Sequence, residues 1–209
     1  MTITIYGDLT SGNCLKVKWV ADHLGVPYRW IGVDVVSGGA KTPEFLALHP
    51  DGQVPAVVLA DGRTLAQSNA IAFHLAEGSE LIPADPYDRA VMLKWMFWEQ
   101  YSHEPYIAVA RFQVKYLGKP AASLDPRLVE RGYGALERLE DAAAPSRFLV
   151  GEELTLADIS LVAYTRMADE GGFDLGRYPA VRAWIARVEE ALGLTASPGT
   201  AATLATFGL

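Results

Sequence analysis

One short segment near the start of the chain carries side chains that could hold an anion. It consists of Thr10, Ser11, Gly12, Asn13, Cys14, Leu15 and Lys16. The segment follows a strand pattern and precedes a helix pattern, which makes it the turn of a predicted βαβ unit. Such a turn presents its side chains and the free N–H groups of the helix at the edge of the sheet where open α/β sheets bind ligands. The sequence therefore predicts an anion-binding site at this turn.

Two other polar segments have the composition of ligand-binding turns. Gln53-Val54-Pro55 precedes an apolar strand pattern, and proline cannot donate to a sheet ladder, so Pro55 marks a strand boundary. A cis bond before Pro55 would turn the backbone N–H and C=O of Val54 outward, where they could pair with a peptide. Gln67-Ser68-Asn69 begins another helix, whose first N–H groups could bind a carboxylate.

The elements that position these segments belong to an α/β arrangement. Apolar and polar residues alternate over 2–6, and a helical stripe from Val17 to Leu24 ends at Gly25-Val26-Pro27. A second strand is predicted over 28–36, and the intervening helix makes the pair parallel. The buried face of that strand is predicted to hold Ile31, Val33 and Val35.

The rest of the first third contains a short helix, a hairpin and a further helix. Thr42-Pro43-Glu44 has a cap, a proline and an acid in the order typical of a helix start. Strands 56–59 and 64–66 flank an Asp61-Gly62 turn and are predicted to form an antiparallel hairpin. Ser68 is then predicted to cap the next helix, so the order is βαβ, short helix, ββα.

The second part of the chain has only helical patterns. We predict a first domain over 1–78, a linker over 79–87, an all-helical domain over 88–195 and a tail over 196–209. A long helix through Met92 should kink at Pro105. Further helices are predicted over 127–144, 155–168 and 179–192.

Composition limits the classes of function. The chain has 209 residues, 18 basic and 25 acidic, and its net charge of −7 without a basic cluster argues against nucleic acid or an anionic membrane as partner. A single cysteine excludes an intramolecular disulfide and fits a reducing cytoplasm. Neither a secretory leader nor a membrane span is predicted. His23, His49, His74 and His103 are widely spaced, so no metal is expected, and the common nucleotide and hydrolase motifs are missing.

In order and spacing, the polar segments resemble the signatures of the glutathione transferase superfamily. These signatures are a Ser-x-Asn-Cys-x-Lys turn, here Ser11 to Lys16, a Gln-Val-Pro, here Gln53 to Pro55, a Gln-Ser-Asn-Ala-Ile helix start, here Gln67 to Ile71, and a helical-domain Thr-x-Ala-Asp box, here Thr155 to Asp158. The resemblance covers about residues 1 to 195 and is nearest to the serine-type, theta-like bacterial members.

The resemblance implies a thioredoxin-like domain that binds glutathione, an all-helical domain, and a variable apolar site between them for an electrophile. Ser11 would donate a hydrogen bond to the glutathione sulfur, with Asn13 as a second catalytic residue. The remaining glutathione-binding residues would be Lys41, Gln53, Val54, Pro55, Gln67 and Ser68. The electrophile site would be lined by Tyr101, Tyr106, Val109 and Phe112. Glutathione would be a co-substrate without a metal, and the protein would be a cytoplasmic homodimer that serves detoxification.

Several residues of the first turn admit a second interpretation. Cys14 would have a depressed pKa in the first turn of a helix and could be a redox group, or it could be a packed, unreactive thiol. Tyr6 could replace Ser11 as sulfur donor, or it could be a packed ring. Thr10 and Asn13 could serve the ligand or satisfy the turn, and Ser11 could be an ordinary helix cap.

Other functions remain compatible with the same residues. A glutathione-dependent disulfide or peroxide reductase would use Asn13 and bound glutathione, and isomerisation or dehalogenation would share the same thiolate. A non-catalytic glutathione-binding or assembly module would keep the cleft without turnover.

Overall fold

The computed structural model describes residues 2–195, which divide into one unit ending at Ile82 and a second beginning at Pro83. This division falls inside the segment predicted as a linker. The predicted tail over 196–209 lies outside the described residues.

The first unit is a four-stranded mixed sheet with three helices. Its elements are β1 (Ile3–Gly7), α1 (Gly12–His23), β2 (Tyr28–Gly32), α2 (Pro43–Leu48), β3 (Ala56–Val58), β4 (Thr64–Ala66) and α3 (Ser68–Leu75). The strand order is β2-β1-β3-β4, with β2 parallel to β1 and the other two pairs antiparallel. The order βαβ, α, ββα is the predicted one, and it confirms the thioredoxin-like fold class.

Each face of this sheet is covered by helices because the strands alternate their side chains. Ile3 and Ile5 of β1 are buried with Val17 of α1 and Ile71 of α3. The opposite face holds a smaller cluster that includes Phe45 of α2, which packs edge-on against Tyr6 at 6.2 Å between ring centroids. The starts of α1 and α3 therefore lie on the same side of the sheet.

The second strand is shorter than predicted. It ends at Gly32, not at position 36, because its parallel partner β1 ends at Gly7, the residue paired with Gly32. The chain then leaves the sheet, and Val33 and Val35 pack into the cluster on the α2 face as loop residues. Ile31 is half-buried and is not among the residues of these two clusters, so this position is less buried than predicted.

The second unit is helical, which confirms the predicted class of the C-terminal part. Its helices are α4 (Pro86–Trp98), α5 (Glu104–Arg111), α6 (Pro126–Ala143), α7 (Leu156–Thr165) and α8 (Pro179–Ala191). A π-helical turn over Glu99–His103 joins α4 to α5, and Pro105 stands in the first turn of α5. The predicted interruption near Pro105 thus takes the form of a π turn, which places the missing proline N–H at a helix start where no intrahelical acceptor is needed.

Helix α7 is the centre of this unit, since all ten of its residues are buried. Its predicted capping box is present: Thr155 accepts from the N–H of Ala157, and Asp158 accepts from the N–H of Thr155 at 3.0 Å. The Asp158 carboxylate also accepts from the N–H of Leu149 at 2.9 Å and from Trp184 Nε1 at 2.8 Å. One buried carboxylate therefore ties the helix start to a preceding loop and to α8.

Replacing Asp158 with alanine should destabilise the protein strongly. The change leaves the buried donors of Leu149, Thr155 and Trp184 without their acceptor, and we expect a loss of about 3 kcal/mol or more in the free energy of unfolding. Urea denaturation checks this value, with Asp141→Ala on the exposed face of α6 as the control. A loss below about 1 kcal/mol for Asp158→Ala would contradict this role.

Candidate functional site

The start of α1 follows the end of β1 after a four-residue turn. Ser11 occupies the N-cap position with extended backbone (φ −85°, ψ 122°), but its side chain makes no capping hydrogen bond to the helix. The hydroxyl instead bonds to the sulfur of Cys14. A neutral thiol is a weak acceptor, so a stronger acceptor such as a thiolate would compete for this hydroxyl. Ser11 thus occupies the cap position without the side-chain hydrogen bond of an ordinary cap.

Asn13 connects the starts of the two helices. Its Oδ1 accepts from Lys16 Nζ at 2.8 Å and from Ser68 Oγ at 3.1 Å. Asn13 and Ser68 are 55 positions apart, so this contact joins two of the three polar segments found in the sequence.

The third segment meets the other two at a small cavity. The Val54–Pro55 peptide bond is cis, as the sequence suggested. A cavity of about 40 Å³ is lined by Asn13, His49, Gln53, Val54, Pro55, Gln67 and Ser68. The fold thus brings six of the predicted site residues together around one point on the sheet edge.

The connection from β4 to α3 consists of Gln67 alone. Gln67 is the N-cap of α3, and it is the one non-glycine with positive φ among residues 2–195 (φ 70°, ψ 112°). Ser68 is the first helical residue and not the cap that was predicted, because its hydroxyl is turned to Asn13. Since backbone strain of this kind is retained at functional sites when the surroundings enforce it, Gln67 is a candidate ligand-binding residue.

Lys41 lies beside the turn that leads to Gln53. Its Nζ donates to the carbonyl of Asp51 at 2.9 Å. It also crosses Gly52, where an added Cβ would lie 2.7 Å from the lysine nitrogen. Lys41 is exposed and is not part of the cavity lining. It lies next to Asp51 and Gly52, outside the cavity.

Cys14 is a buried thiol, and the structure excludes the depressed pKa considered for it. Burial raises the pKa of Cys14 to about 11, and this outweighs the hydrogen bonds from the Asp8 N–H and from Ser11, which lower it. The sulfur lies against the end of β1, where a Cβ on Gly7 would be 3.1 Å from it. At neutral pH the thiolate fraction is therefore far below that of an exposed cysteine.

Tyr6 and Thr10 both have structural roles near this turn. Tyr6 is half-buried and packs in the cluster that contains Phe45. Thr10 donates its hydroxyl to Asp8 Oδ1 at 2.7 Å, and its backbone N–H donates to the same oxygen at 2.8 Å. Both observations favour the structural interpretation of these residues.

The four residues predicted for the electrophile site do not all line the same cavity of the helical unit. Tyr101 and Tyr106 line a cavity of about 640 Å³ together with Trp98 and Tyr133. Its lining also contains charged residues of both signs: Glu130, Arg131, Glu137, Arg138 and Arg177. Val109 and Phe112 are not part of that lining, and Phe112 stacks on Tyr116 with ring centroids 5.3 Å apart. This cavity is more polar than the apolar site that the resemblance implied, and its part in function stays a prediction.

Sequence reasoning missed two residues of the first unit. His49 was interpreted as structural, yet it lines the small cavity and is 5% exposed. Lys16 was quoted only as part of a motif, although its spacing of three residues from Asn13 puts both on one helix face. That spacing was the available signal for Lys16, whereas no sequence pattern marks His49.

Metal-binding clusters and membrane spans are both missing from the part of the chain that the structure describes. Among residues 2–195, no group of three or more His, Cys, Asp or Glu side chains is arranged to hold a metal ion. Within the same range, no helix is both long and apolar enough to span a bilayer.

The buried thiol generates a prediction about chemical reactivity. With a pKa of about 11 in place of 9.0, the Cys14 thiolate fraction at pH 8 falls from about 10% to about 0.1%. Alkylation by iodoacetamide, followed by mass spectrometry, should therefore be about 100-fold or more slower in the folded protein than in the same chain in concentrated urea. Equal rates in the two states would show that Cys14 is accessible and ionised.

Comparisons with known proteins agree with this geometry. Residues 10–77 match the family model of the glutathione S-transferase N-terminal domain, and residues 121–187 match that of the C-terminal domain. A glutathione S-transferase structure from Pseudomonas fluorescens Pf-5 is 49% identical, with a TM-score of 0.86 over 90% of this chain and 94% of that one.

Two curated relatives differ in their stated activity. Glutathione S-transferase 3 of Zea mays is 32% identical over 87% of this chain and 86% of its own length. The disulfide-bond oxidoreductase YfcG of Escherichia coli K12 is 30% identical over 84% of this chain and 85% of its own length. By both domain matches and these identities, the chain belongs to the glutathione S-transferase superfamily.

Proposed function

We propose that the protein is a serine-type glutathione transferase that adds the glutathione thiolate to a small apolar electrophile. The observation that supports the proposal is the half-buried Ser11 hydroxyl, which stands at the N-cap position of α1 without a capping hydrogen bond and is bonded to the buried Cys14 sulfur, a weak acceptor. A glutathione sulfur at this point would offer that hydroxyl a charged acceptor.

The free energy available at the turn is sufficient for thiolate formation. A thiol with a pKa of about 8.5 is about 3% ionised at neutral pH, and lowering the pKa by two units requires about 2.7 kcal/mol. A hydroxyl donating to a thiolate contributes about 1.5 to 3 kcal/mol, and a helix N-terminus adds about 0.3 to 1 kcal/mol. The sum of about 1.8 to 4 kcal/mol brackets the requirement.

Ionisation alone gives a modest acceleration. The thiolate fraction rises about 25-fold, but the lower basicity reduces nucleophilicity about eightfold, which leaves a net gain of about threefold. Most of the rate enhancement therefore comes from holding the sulfur against the electrophile and excluding water.

The other polar segments supply groups for the rest of the tripeptide. The backbone N–H and C=O of Val54 would pair with the cysteinyl residue of glutathione. Gln67 and the first N–H groups of α3, that of Ser68 among them, would bind the γ-glutamyl carboxylate. Gln53 and Lys41 would meet the glycyl carboxylate.

In the reaction with an aryl halide, the sulfur forms a bond to the ring carbon and the halide leaves with its electron pair. The thiol proton goes to water before the attack. The stability of the bound thiolate, set by Ser11 and α1, decides the pH at which the reaction begins. A homodimer in the cytoplasm is part of this proposal.

Disulfide reduction is a second candidate, favoured by the similarity to YfcG. Because Cys14 is buried with a raised pKa, the reducing thiol would be that of glutathione and not a protein cysteine. Asn13 would then orient the glutathione sulfur toward the disulfide.

Ser11→Ala should shift the pH dependence of transfer to 1-chloro-2,4-dinitrobenzene. Loss of the donor raises the pKa of bound glutathione, so the rising limb of kcat/KM should move up by about one to two pH units. At neutral pH and saturating glutathione we expect kcat/KM for the halide to fall by at most about threefold, with little change in glutathione affinity.

Thr10→Val is the matched control, because the Thr10 hydroxyl is bonded to Asp8 and not to the proposed ligand. A Ser11→Ala profile that superimposes on the wild type would remove Ser11 from the mechanism.

Parallel assays separate the candidate functions. The transferase proposal predicts turnover of the aryl halide that exceeds turnover of a glutathione mixed disulfide, measured as kcat/KM on one preparation. The opposite order favours the reductase. Retention on glutathione resin without turnover of either substrate indicates a binding module.

A further inference from the structure

Lys16 is a buried cation beside the proposed sulfur site. Its side chain has 0% exposure, and its Nζ donates to Asn13 Oδ1 at 2.8 Å. Lys18, two residues along the same helix, is by contrast partly exposed and forms an ion pair with Asp22. Removing an ammonium group from water is unfavourable. A buried lysine at position 16 therefore destabilises the fold unless its hydrogen bonds compensate for the lost hydration.

The contact with Lys16 fixes the orientation of the Asn13 carboxamide. An ammonium group only donates hydrogen bonds, so the Asn13 atom facing it must be the oxygen and not the nitrogen. Ser68 Oγ donates to the same oxygen. With its oxygen held by a cation and a hydroxyl, the carboxamide directs its N–H group away from both, and polarisation by the cation strengthens that group as a donor.

The charge of Lys16 also reaches sulfur at this turn. It lowers the pKa of Cys14, against the larger opposite effect of burial. A ligand sulfur placed at the start of α1 would lie in the same electrostatic field.

We propose that Lys16 is a positioning residue for the glutathione sulfur, acting through Asn13. This inference rests on the proposed function. Lys16 holds the Asn13 carboxamide so that its N–H donates to the thiolate beside the Ser11 hydroxyl. Through the shared Asn13 oxygen, Lys16 also couples the sulfur end of the ligand to Ser68 at the γ-glutamyl end.

A double-mutant cycle tests this assignment. The variants are Lys16→Met, Asn13→Ala and the two combined, with kcat/KM for 1-chloro-2,4-dinitrobenzene measured at saturating glutathione from pH 5 to 9. Lys16→Met should move the rising limb up by about one pH unit and lower kcat/KM at pH 5.5 about threefold, because the loss of thiolate is partly offset by the higher nucleophilicity of a more basic sulfur. In the Asn13→Ala background, Lys16→Met should move the limb by less than half as much, because the route through Asn13 is missing and only the direct field of the ammonium group remains.

Lys18→Met is the matched control on the same helix, and its profile should remain that of the wild type. Lys16→Arg keeps the positive charge, so the rising limb of its pH profile should lie within about 0.3 pH units of that of the wild type. A Lys16→Met profile that superimposes on the wild type would overturn the proposal, as would losses that multiply in the double variant.

Asn13→Asp provides a test that keeps Lys16 in place, in case Lys16→Met does not fold. The aspartate retains an acceptor for Lys16 and Ser68 but has no N–H to donate, so it should lose as much activity as Asn13→Ala. Wild-type activity in Asn13→Asp would overturn the proposal.

The failure of this inference is distinct from the failure of the proposed function. If the wild type shows no heat on calorimetric titration with glutathione and no turnover, both are overturned. If the wild type is active and the cycle is additive, the role of Lys16 alone is wrong.

Discussion

The contact between Asn13 and Ser68 is the constraint on which the site depends. The two residues begin different helices, and the 3.1 Å hydrogen bond between them fixes the distance between two helix N-termini on one sheet edge. Each N-terminus has free N–H groups and a partial positive charge. A ligand with two anionic groups can therefore engage both ends at once, provided that the spacing of its charges matches that of the helices.

The same turn contains a hydroxyl and a thiol in different environments. Ser11 is half-buried and bonded to a weak acceptor, whereas Cys14, three residues later, is sealed against the end of β1. A helix start would ordinarily favour the thiolate, but the loss of hydration outweighs that effect for a fully buried sulfur. The reactive sulfur in this fold is thus expected to arrive with the ligand.

Most of the fold follows from local patterns, while the coupling between segments does not. The βαβ start, the hairpin around Asp61-Gly62 and the box from Thr155 to Asp158 depend on residues close in sequence, and the structure confirms them. The end of β2 depends on where its partner strand β1 ends. The hydroxyl of Ser68 donates to Asn13, a residue 55 positions away in the sequence. Neither is encoded in a local window. The burial of Lys16 is also a tertiary property, since a lysine in an amphipathic pattern is ordinarily interpreted as exposed.

The single-residue link at Gln67 has a consequence for how this chain can vary. Helix residues advance by about 100° each, so an inserted residue that extended α3 at its start would present the first free N–H group about 100° further round the helix axis. Side chains at the site can be exchanged for others of similar chemistry, but no exchange compensates for a misdirected backbone. In a lineage of such proteins, this junction should therefore tolerate changes of residue far better than changes of length.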